Sequence, residues 1–282
     1  MAILATAVTR RGLIGNALAI GAQRAGGTRA HAALYSHSDV TRSLRAPLTL
    51  GIARVVLRSG AESRTTTQGL RMIVVESGVV AVGMPRHQPA PITAADLSAS
   101  LHVDDDLAEI IMATGTSLTA DDPGIMSLRN PGAASAVILD VVVYRSPSQP
   151  FSRAFTNDAI SFQLLASALA KTAPVGDVTV RLERTTLGPG QVLAQAAGTG
   201  VTMCYLERGS VKVIGESGGV ATARAAAAAP YSLPGALQIL DSGQERLLTA
   251  GGMVFVPDDG ASSVRNAERR DAELLLLSVL PA

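Results

Sequence analysis

The side chains best suited to metal binding or acid–base chemistry are few in this 282-residue chain and widely scattered. Its four histidines all precede residue 103: His31, His37, His87 and His102. Cys204 is the single cysteine, which excludes an intramolecular disulfide and argues against a Cys/His zinc site. Because imidazole and carboxylate ligands must converge on one point, this spacing predicts no transition-metal site and supplies no obvious general base.

Acidic runs are the other candidate ligands, since oxygen-rich loops can hold calcium. The runs are Asp104–Asp106, Asp121–Asp122 and Asp258–Asp259. The last two occupy equivalent places in an internal repeat, where Asp commonly serves turn geometry. The first lies in a polar, proline-containing loop. We therefore interpret all three as turn or solvated loop residues, with calcium as the lesser alternative, and predict neither metal nor cofactor. No P-loop or dinucleotide fingerprint occurs.

Composition narrows the class of protein further. Hydrophobic residues make up 47% of the chain, and tryptophan is absent. The net charge of +1 argues against nucleic-acid binding, which requires a basic stripe. No apolar run reaches the roughly 18 residues of an ordinary transmembrane helix. The composition therefore predicts a globular protein.

The N-terminal segment, residues 1–33, resembles a twin-arginine export signal. Arg10 and Arg11 precede a mildly apolar stretch, residues 13–22, and Ala30-His31-Ala32 fits a small-x-small cleavage site. The segment predicts export to the periplasm, cell surface or extracellular space. A basic N-terminal arm is the alternative interpretation, and under either one the fold begins after it.

The rest of the chain contains an internal duplication. Three segment pairs match in the same order: residues 54–60 with 184–190, 72–83 with 203–215, and 115–130 with 251–266. Two of the chain's four asparagines, Asn130 and Asn266, occupy equivalent positions, where we expect each to cap a turn through side-chain-to-backbone hydrogen bonds. The duplication predicts two similar domains.

The repeated pieces read as β-strands. Residues 70–82 and 202–214 are rich in β-branched residues, and the breaks at Ser77-Gly78 and Arg208-Gly209 suit hairpin turns. Residues 136–144 and 272–280 are apolar runs of strand length. We predict an all-β fold with domains at 34–145 and 177–282. The linker, 146–176, is predicted to be partly helical at 157–170, and residues 84–108 form a polar excursion.

Ordered glycine, proline and asparagine positions resemble the cupin family, whose motifs are G-x5-HxH-x3,4-E-x6-G and G-x5-PxG-x2-H-x3-N. The matching frame comprises Gly60, Gly78, Pro123, Gly124 and Asn130, then Gly190, Gly209, Pro257, Gly260 and Asn266. The likeness covers residues 48–144 and 178–280. It implies two tandem jelly-roll β-barrels, the arrangement of a bicupin.

The chain departs from the family where metal ligands are expected. The positions of the ligating His, His, Glu and His fall on Thr65, Thr67, Arg71 and Met126, then on Ala196, Gly198, Thr202 and Ser262. None of these is His, Glu or Asp. The resemblance therefore implies two barrels that lack the family's metal site, and it assigns no catalytic residue.

Arg71 is the most informative of these positions, because the register directs its side chain into the first barrel. A buried guanidinium needs a partner, either a carboxylate ligand held in a bidentate pair or an internal Asp or Glu. Alternatively, the side chain extends to the barrel mouth and keeps its charge in solvent. The candidate ligand pocket consists of Arg71, Thr65, Thr67, Met126, Thr202 and Ser262. Cys204, in the strand-like run 202–206, is interpreted as a small buried hydrophobe rather than a nucleophile.

The leading functional hypothesis is a non-catalytic binding or structural protein, with a small-molecule ligand or a homodimeric partner compatible with it. The alternative is a cupin-type enzyme, either metal-free or using ligands outside the family motif, such as His87 or His102 beside Asp104–Asp106. A storage or surface protein, with both barrels filled by side chains, is the third. The sequence does not identify a ligand.

Overall fold

The computed structural model describes residues 31–40, 44, 47–67, 69–85, 107–121, 124–144, 158–224 and 237–282. All regular structure in these residues is β-strand. Within the same ranges, no helix has the length and apolar character needed to cross a membrane. Most of the predicted export segment and of the polar excursion lies outside the described residues. Strand β1 begins at His31, inside the segment assigned to export.

Twenty strands are described. Those of the first half are β1 (His31–Val40), β2 (Leu48–Leu57), β3 (Glu62–Thr67), β4 (Leu70–Ser77), β5 (Val79–Pro85), β6 (Leu107–Ala113), β7 (Ser117–Asp121), β8 (Gly124–Arg129) and β9 (Ala136–Tyr144). Those that follow are β10 (Ile160–Ala170), β11 (Val178–Leu187), β12 (Val192–Gln195), β13 (Val201–Arg208), β14 (Ser210–Ser217), β15 (Ala221–Ala223), β16 (Gln238–Ile239), β17 (Glu245–Thr249), β18 (Met253–Val256), β19 (Ala261–Asn266) and β20 (Ala272–Pro281).

Each half of the chain forms two antiparallel sheets that face each other. In the N-terminal barrel the orders are β10-β2-β9-β4-β7 and β3-β8-β5-β6. In the C-terminal barrel, β11-β20-β13-β18 and β12-β19-β14-β17 repeat the same order, and β15 and β16 extend the larger sheet. Within each repeat, the first strand in sequence pairs with the last, the second with the next to last, and so on towards the middle. This nested pairing is the Greek-key order of a jelly roll. The predicted all-β fold of two tandem jelly-roll barrels is confirmed.

The helix predicted at 157–170 is wrong, because Ile160–Ala170 is strand β10. It runs antiparallel to β2, from Ile160 opposite Leu57 to Ala170 opposite Leu48. Its leucines and alanines have good helix propensity, but pairing with the open edge of β2 and burial of residues such as Leu165 and Ala166 override it.

Strands β1 and β10 are exchanged between the barrels. β10 precedes the C-terminal barrel in sequence but completes the larger sheet of the N-terminal one. β1 precedes the N-terminal barrel but pairs with β11, with His31 opposite Thr186 and Val40 opposite Val178. Each barrel therefore receives one strand from the segment that leads into the other.

The hairpin turns predicted at Ser77-Gly78 and Arg208-Gly209 are also wrong. β4 pairs with β7 and β9, whereas β5 pairs with β6 and β8, so the chain crosses from one sheet to the other at Gly78. Gly78 has φ +83°, and an added Cβ would lie 2.9 Å from the Cα of Ala136. Glycine is required there by this close approach at a sheet corner rather than by a hairpin.

Three hydrophobic clusters form the core. One fills each barrel, and the largest joins the two barrels across their larger sheets. Strand β4 illustrates the alternation: Met72 and Val74 enter the inter-barrel core, whereas Ile73 and Val75 enter the N-terminal barrel. The larger sheets are thus buried on both faces, which explains the unbroken apolar runs of β9 and β20.

Candidate functional site

Arg71 lies inside the N-terminal barrel, as the register predicts, and its partner is an internal carboxylate. Its Nε donates to Asp140 Oδ1 at 2.8 Å and its Nη2 to Asp140 Oδ2 at 2.7 Å. The two side chains are only 1% and 2% exposed. This is the bidentate, fork-to-fork arrangement that best compensates two buried charges. The internal Asp, one of the partners considered for Arg71, is therefore the one observed.

Met126 completes this buried group. Arg71 Nη1 lies 3.7 Å from Met126 Sδ, and Met126 is fully buried. Thr65 lies opposite Met126 across β3 and β8, so both occupy the face toward the barrel interior. Thr67 lies opposite Gly124 in the backbone register, and its side chain is outside the described part. The structure thus brings Arg71, Met126 and Thr65 together.

The C-terminal barrel has hydroxyl side chains in the matching region, where Thr202 corresponds to Arg71. Thr202 Oγ1 and Ser278 Oγ lie 3.1 Å apart and share a buried hydrogen bond. Ser262, 2% exposed, lies on the facing sheet between Gln195 of β12 and Gly215 of β14. Thr202 and Ser262 are therefore interior residues, as predicted, but they belong to a different barrel from Arg71 and form a separate group.

The described residues contain no group of three or more His, Cys, Asp or Glu side chains that could hold a metal ion. His87, His102 and Asp104–Asp106, which the enzyme alternative invokes, lie outside those residues. Of the acidic pairs interpreted as turn residues, Asp121 is instead the last residue of strand β7. Asp258 and Asp259 lie in a turn, where Asp258 Oδ1 accepts a hydrogen bond from Gly200 N at 2.9 Å. That contact matches its interpretation as a turn residue.

Cys204 is 4% exposed and lies in the core of the C-terminal barrel. Burial raises the pKa of its thiol to about 12. The thiolate is the nucleophilic form, so at neutral pH this side chain is inert. The interpretation of Cys204 as a small hydrophobe matches this environment.

Asn130 and Asn266 cap turns as predicted, and they do so in the same way. The Nδ2 of Asn130 donates to the carbonyls of Leu57 and Ala134, and its Oδ1 accepts from Gly132 N. Asn266 makes the equivalent bonds to the carbonyls of Leu187 and Arg270 and to Glu268 N. Each side-chain amide thus links the end of the first strand of its repeat, β2 or β11, to the loop that precedes the last strand, β9 or β20.

Four charged residues between the barrels escaped the sequence analysis. Arg54 bonds Glu76 at 2.7 Å and Glu207 at 2.7 Å, whereas Arg184 bonds Glu76 at 2.6 Å and also pairs with Glu207. We call this group the inter-barrel quartet. Arg54 and Arg184 match in the repeat, as do Glu76 and Glu207, so a matched pair of charges in the duplication was the available signal.

Contacts within the inter-barrel quartet shift the pKa values of two of its members, Glu76 and Arg54. Burial alone would raise the pKa of Glu76, but hydrogen bonds from Arg54 and Arg184, together with their charges, hold it below its ordinary value. Burial likewise opposes the charge of Arg54, yet hydrogen bonds to Glu76 and Glu207 raise its pKa. The four side chains are 11–28% exposed, so solvent screens them only partly.

No protein-family model matches the sequence, and no curated protein matches it either. Among solved structures, the chain is similar to an oxalate decarboxylase from Lactobacillus farciminis, with 8% identity, TM-score 0.47 and coverage of 92% of this chain and 88% of the other. It is similar to procruciferin, an 11S globulin from Brassica napus, with 11% identity, TM-score 0.41 and coverages of 88% and 84%. A cupin 2 conserved barrel domain protein from Leptotrichia buccalis shares 11% identity, with TM-score 0.35 and coverages of 90% and 92%.

The sequence identities and TM-scores of these structures are low. The fold is therefore assigned from the strand order of this chain. Two jelly-roll barrels in tandem, related by an internal duplication, are the arrangement that the resemblance to bicupins implies. The chain has the bicupin fold. Because a fold does not by itself specify a function, the function must be argued from the side chains inside the barrels.

Proposed function

We propose that this protein is a non-catalytic, exported binding or structural protein built on the bicupin fold. The observation that carries the proposal is the Arg71–Asp140 pair. The resemblance places a metal-ligating glutamate at residue 71, and in its place a guanidinium is held by its own internal carboxylate. A cation bound beside Arg71 would face a like charge.

The other ligand positions support the same conclusion. Met126 has a thioether, and Thr202 and Ser262 have neutral hydroxyls in place of imidazole and carboxylate. Neutral hydroxyls are weak ligands for the transition metals that His/Glu sets bind. In addition, Cys204 has the raised thiol pKa of a buried structural residue, which argues against nucleophilic catalysis by it.

The first test is elemental analysis of the full chain, expressed without a histidine tag and purified without chelators. We expect transition-metal content far below one ion per chain in folded protein. A stoichiometric metal would contradict the proposal and favour the enzyme alternative. In that case the double variant His87→Ala, His102→Ala would show whether those imidazoles are the ligands, and the matched variant His37→Ala would serve as control.

Export has its own test. The first 33 residues, fused to a reporter that is active only outside the cytoplasm, should direct its export in a bacterium with a twin-arginine system. Replacing Arg10 and Arg11 by lysine should abolish export, whereas replacing Arg24 by lysine should not. Retention of the wild-type fusion in the cytoplasm would support the alternative of a basic arm.

A further inference from the structure

The C-terminal barrel contains an inward-facing arginine that the family motif does not mark. On strand β11, Val178, Val180 and Leu182 belong to the inter-barrel core. Successive side chains of a strand point to opposite faces, so Arg181 faces the interior of the C-terminal barrel. Leu187, on the same face of β11 further along, belongs to the core of that barrel, which confirms the direction.

Arg181 stands in one row with the hydroxyl pair described above. In the backbone register it lies between His37 of β1 and Ser278 of β20, and Ser278 lies opposite Thr202 of β13. Side chains directly opposite one another on the same face have Cβ atoms about 5 Å apart, which a guanidinium spans easily. The row continues to Val256 of β18, so three polar side chains end against an apolar one.

One donor of the Arg181 guanidinium, its buried Nε, has no acceptor in the described part of the chain. The place that Asp140 takes in the other barrel belongs here to Leu276, because Asp140 lies opposite Ile73 and Leu276 lies opposite Cys204 at the matching position. A buried donor without an acceptor costs stability, so it calls for an explanation.

Two further features indicate which kind of ligand would suit the guanidinium of Arg181. Glu183, two residues along the same face of β11, makes no ion pair with Arg181 among the described residues, and its charge disfavours a multiply charged anion nearby. Residues 196–199, which lead into β13 at this end of the barrel, are exposed. They include Ala196 and Gly198, which have small side chains or none.

We propose that the C-terminal barrel binds a small monocarboxylate, with its carboxylate on Arg181 and the hydroxyls of Thr202 and Ser278, and an apolar tail toward Val256. One cation matches one negative charge, and a planar carboxylate matches the guanidinium fork. This inference rests on the binding role in the proposed function and names its ligand class. It also distinguishes the two barrels, since Arg71 is paired with Asp140, whereas Arg181 has no ion pair among the described residues.

Isothermal titration calorimetry of the full chain with butyrate tests the proposal, with butyramide as its neutral isostere and inorganic phosphate as the multiply charged probe. We expect binding of butyrate, none of butyramide, and phosphate binding at least about tenfold weaker than that of butyrate. Arg181→Met should weaken butyrate binding at least about tenfold, and Thr202→Val about threefold. Arg269→Met, an exposed arginine of the same barrel, should leave it unchanged.

A second measurement separates a binding role from a structural one. Because Arg181 has an unsatisfied buried donor without ligand, Arg181→Met should raise the melting temperature of the ligand-free protein by about 2–4 °C. Butyrate should raise the melting temperature of the wild type and not of the variant. Arg181→Lys, which keeps the charge but loses the fork, should fall between the two in affinity.

The proposal fails if wild type does not bind butyrate, or if Arg181→Met binds it equally well. It fails too if Arg181→Met lowers the melting temperature, which would make the arginine a structural residue. These outcomes are independent of metal content. A metal-free protein that does not bind butyrate would contradict this inference but not the proposed non-catalytic function. A metal-containing protein that binds butyrate through Arg181 would contradict the non-catalytic function but not this inference.

Discussion

The two barrels share their backbone devices and differ in what fills them. Asn130 and Asn266 make the same three hydrogen bonds, and the inter-barrel quartet takes one Arg and one Glu from each half. At the level of the family's metal site, however, one barrel encloses an ion pair and the other a pair of hydroxyls. Residues that hold strands together have stayed matched between the halves, whereas the interiors have become chemically different.

The largest loss of stability is expected when the ion pair of the N-terminal barrel is broken. Asp140→Ala leaves the Arg71 guanidinium buried without its carboxylate, and should lower the free energy of unfolding by about 3–5 kcal/mol. Urea denaturation followed by circular dichroism measures this. The double variant Arg71→Met, Asp140→Leu replaces the ion pair by apolar side chains, and should be about as stable as wild type or more so. A double variant as unstable as Asp140→Ala would contradict this account.

Removing the shared asparagine caps comes next. Asn130→Ala and Asn266→Ala each lose three hydrogen bonds and leave buried carbonyls unsatisfied, so each should cost about 2–3 kcal/mol. If the halves use the same device, the two losses should agree within about 1 kcal/mol in urea titrations. A much smaller loss at one of them would show that its turn is held by other contacts.

The inter-barrel quartet should contribute less, because its residues are partly solvated. Glu76→Gln and Glu207→Gln should each cost about 1–2 kcal/mol. Since the pKa of Glu76 in the folded protein is below its ordinary 4.5, its contribution is complete above that pH and is lost as the pH falls through the lower folded value. Unfolding free energies between pH 7 and 3 should therefore fall less steeply in Glu76→Gln than in wild type.

The smallest effect concerns Cys204, whose counterpart in the other barrel is Ile73. Cys204→Val replaces one small hydrophobe by another and should change stability by less than about 1.5 kcal/mol. With a thiol pKa of about 12, the folded protein should resist iodoacetamide at pH 8 and react fully in urea. Rapid alkylation of the folded protein would show that the thiol is accessible.

The sequence predicted the duplication, the strands and the inward direction of Arg71, because each leaves a local or periodic signal. Asp140 was a visible signal too, as a lone carboxylate in the apolar run of β9. Its pairing with Arg71 was not predictable, because the two are far apart in sequence and only the barrel brings them together. Arg181 escaped notice because the family motif does not extend to β11.

The errors have a common physical cause. The helix expected at 157–170 and the hairpin expected at Gly78 were both inferred from local preference alone. In each case tertiary structure decided otherwise: β2 offered a free edge to β10, and the sheet corner needed a left-handed glycine. Local preference indicated where the backbone turns or extends, but not which strand it joins.

The strand exchange also bears on how the chain reaches its native state. Strand β1 precedes the other described strands, yet its partner β11 follows about half a chain later, and β11 in turn pairs with β20. During translation β1 therefore has no β11 to pair with until residues 178–187 are made, whereas β10 becomes available to the N-terminal barrel earlier. Pairings so distant in sequence fold slowly, and an early strand left with an open edge is exposed to association with other chains in that interval. The topology therefore constrains the order of assembly, with β1 and β20 among the last of the described strands to pair.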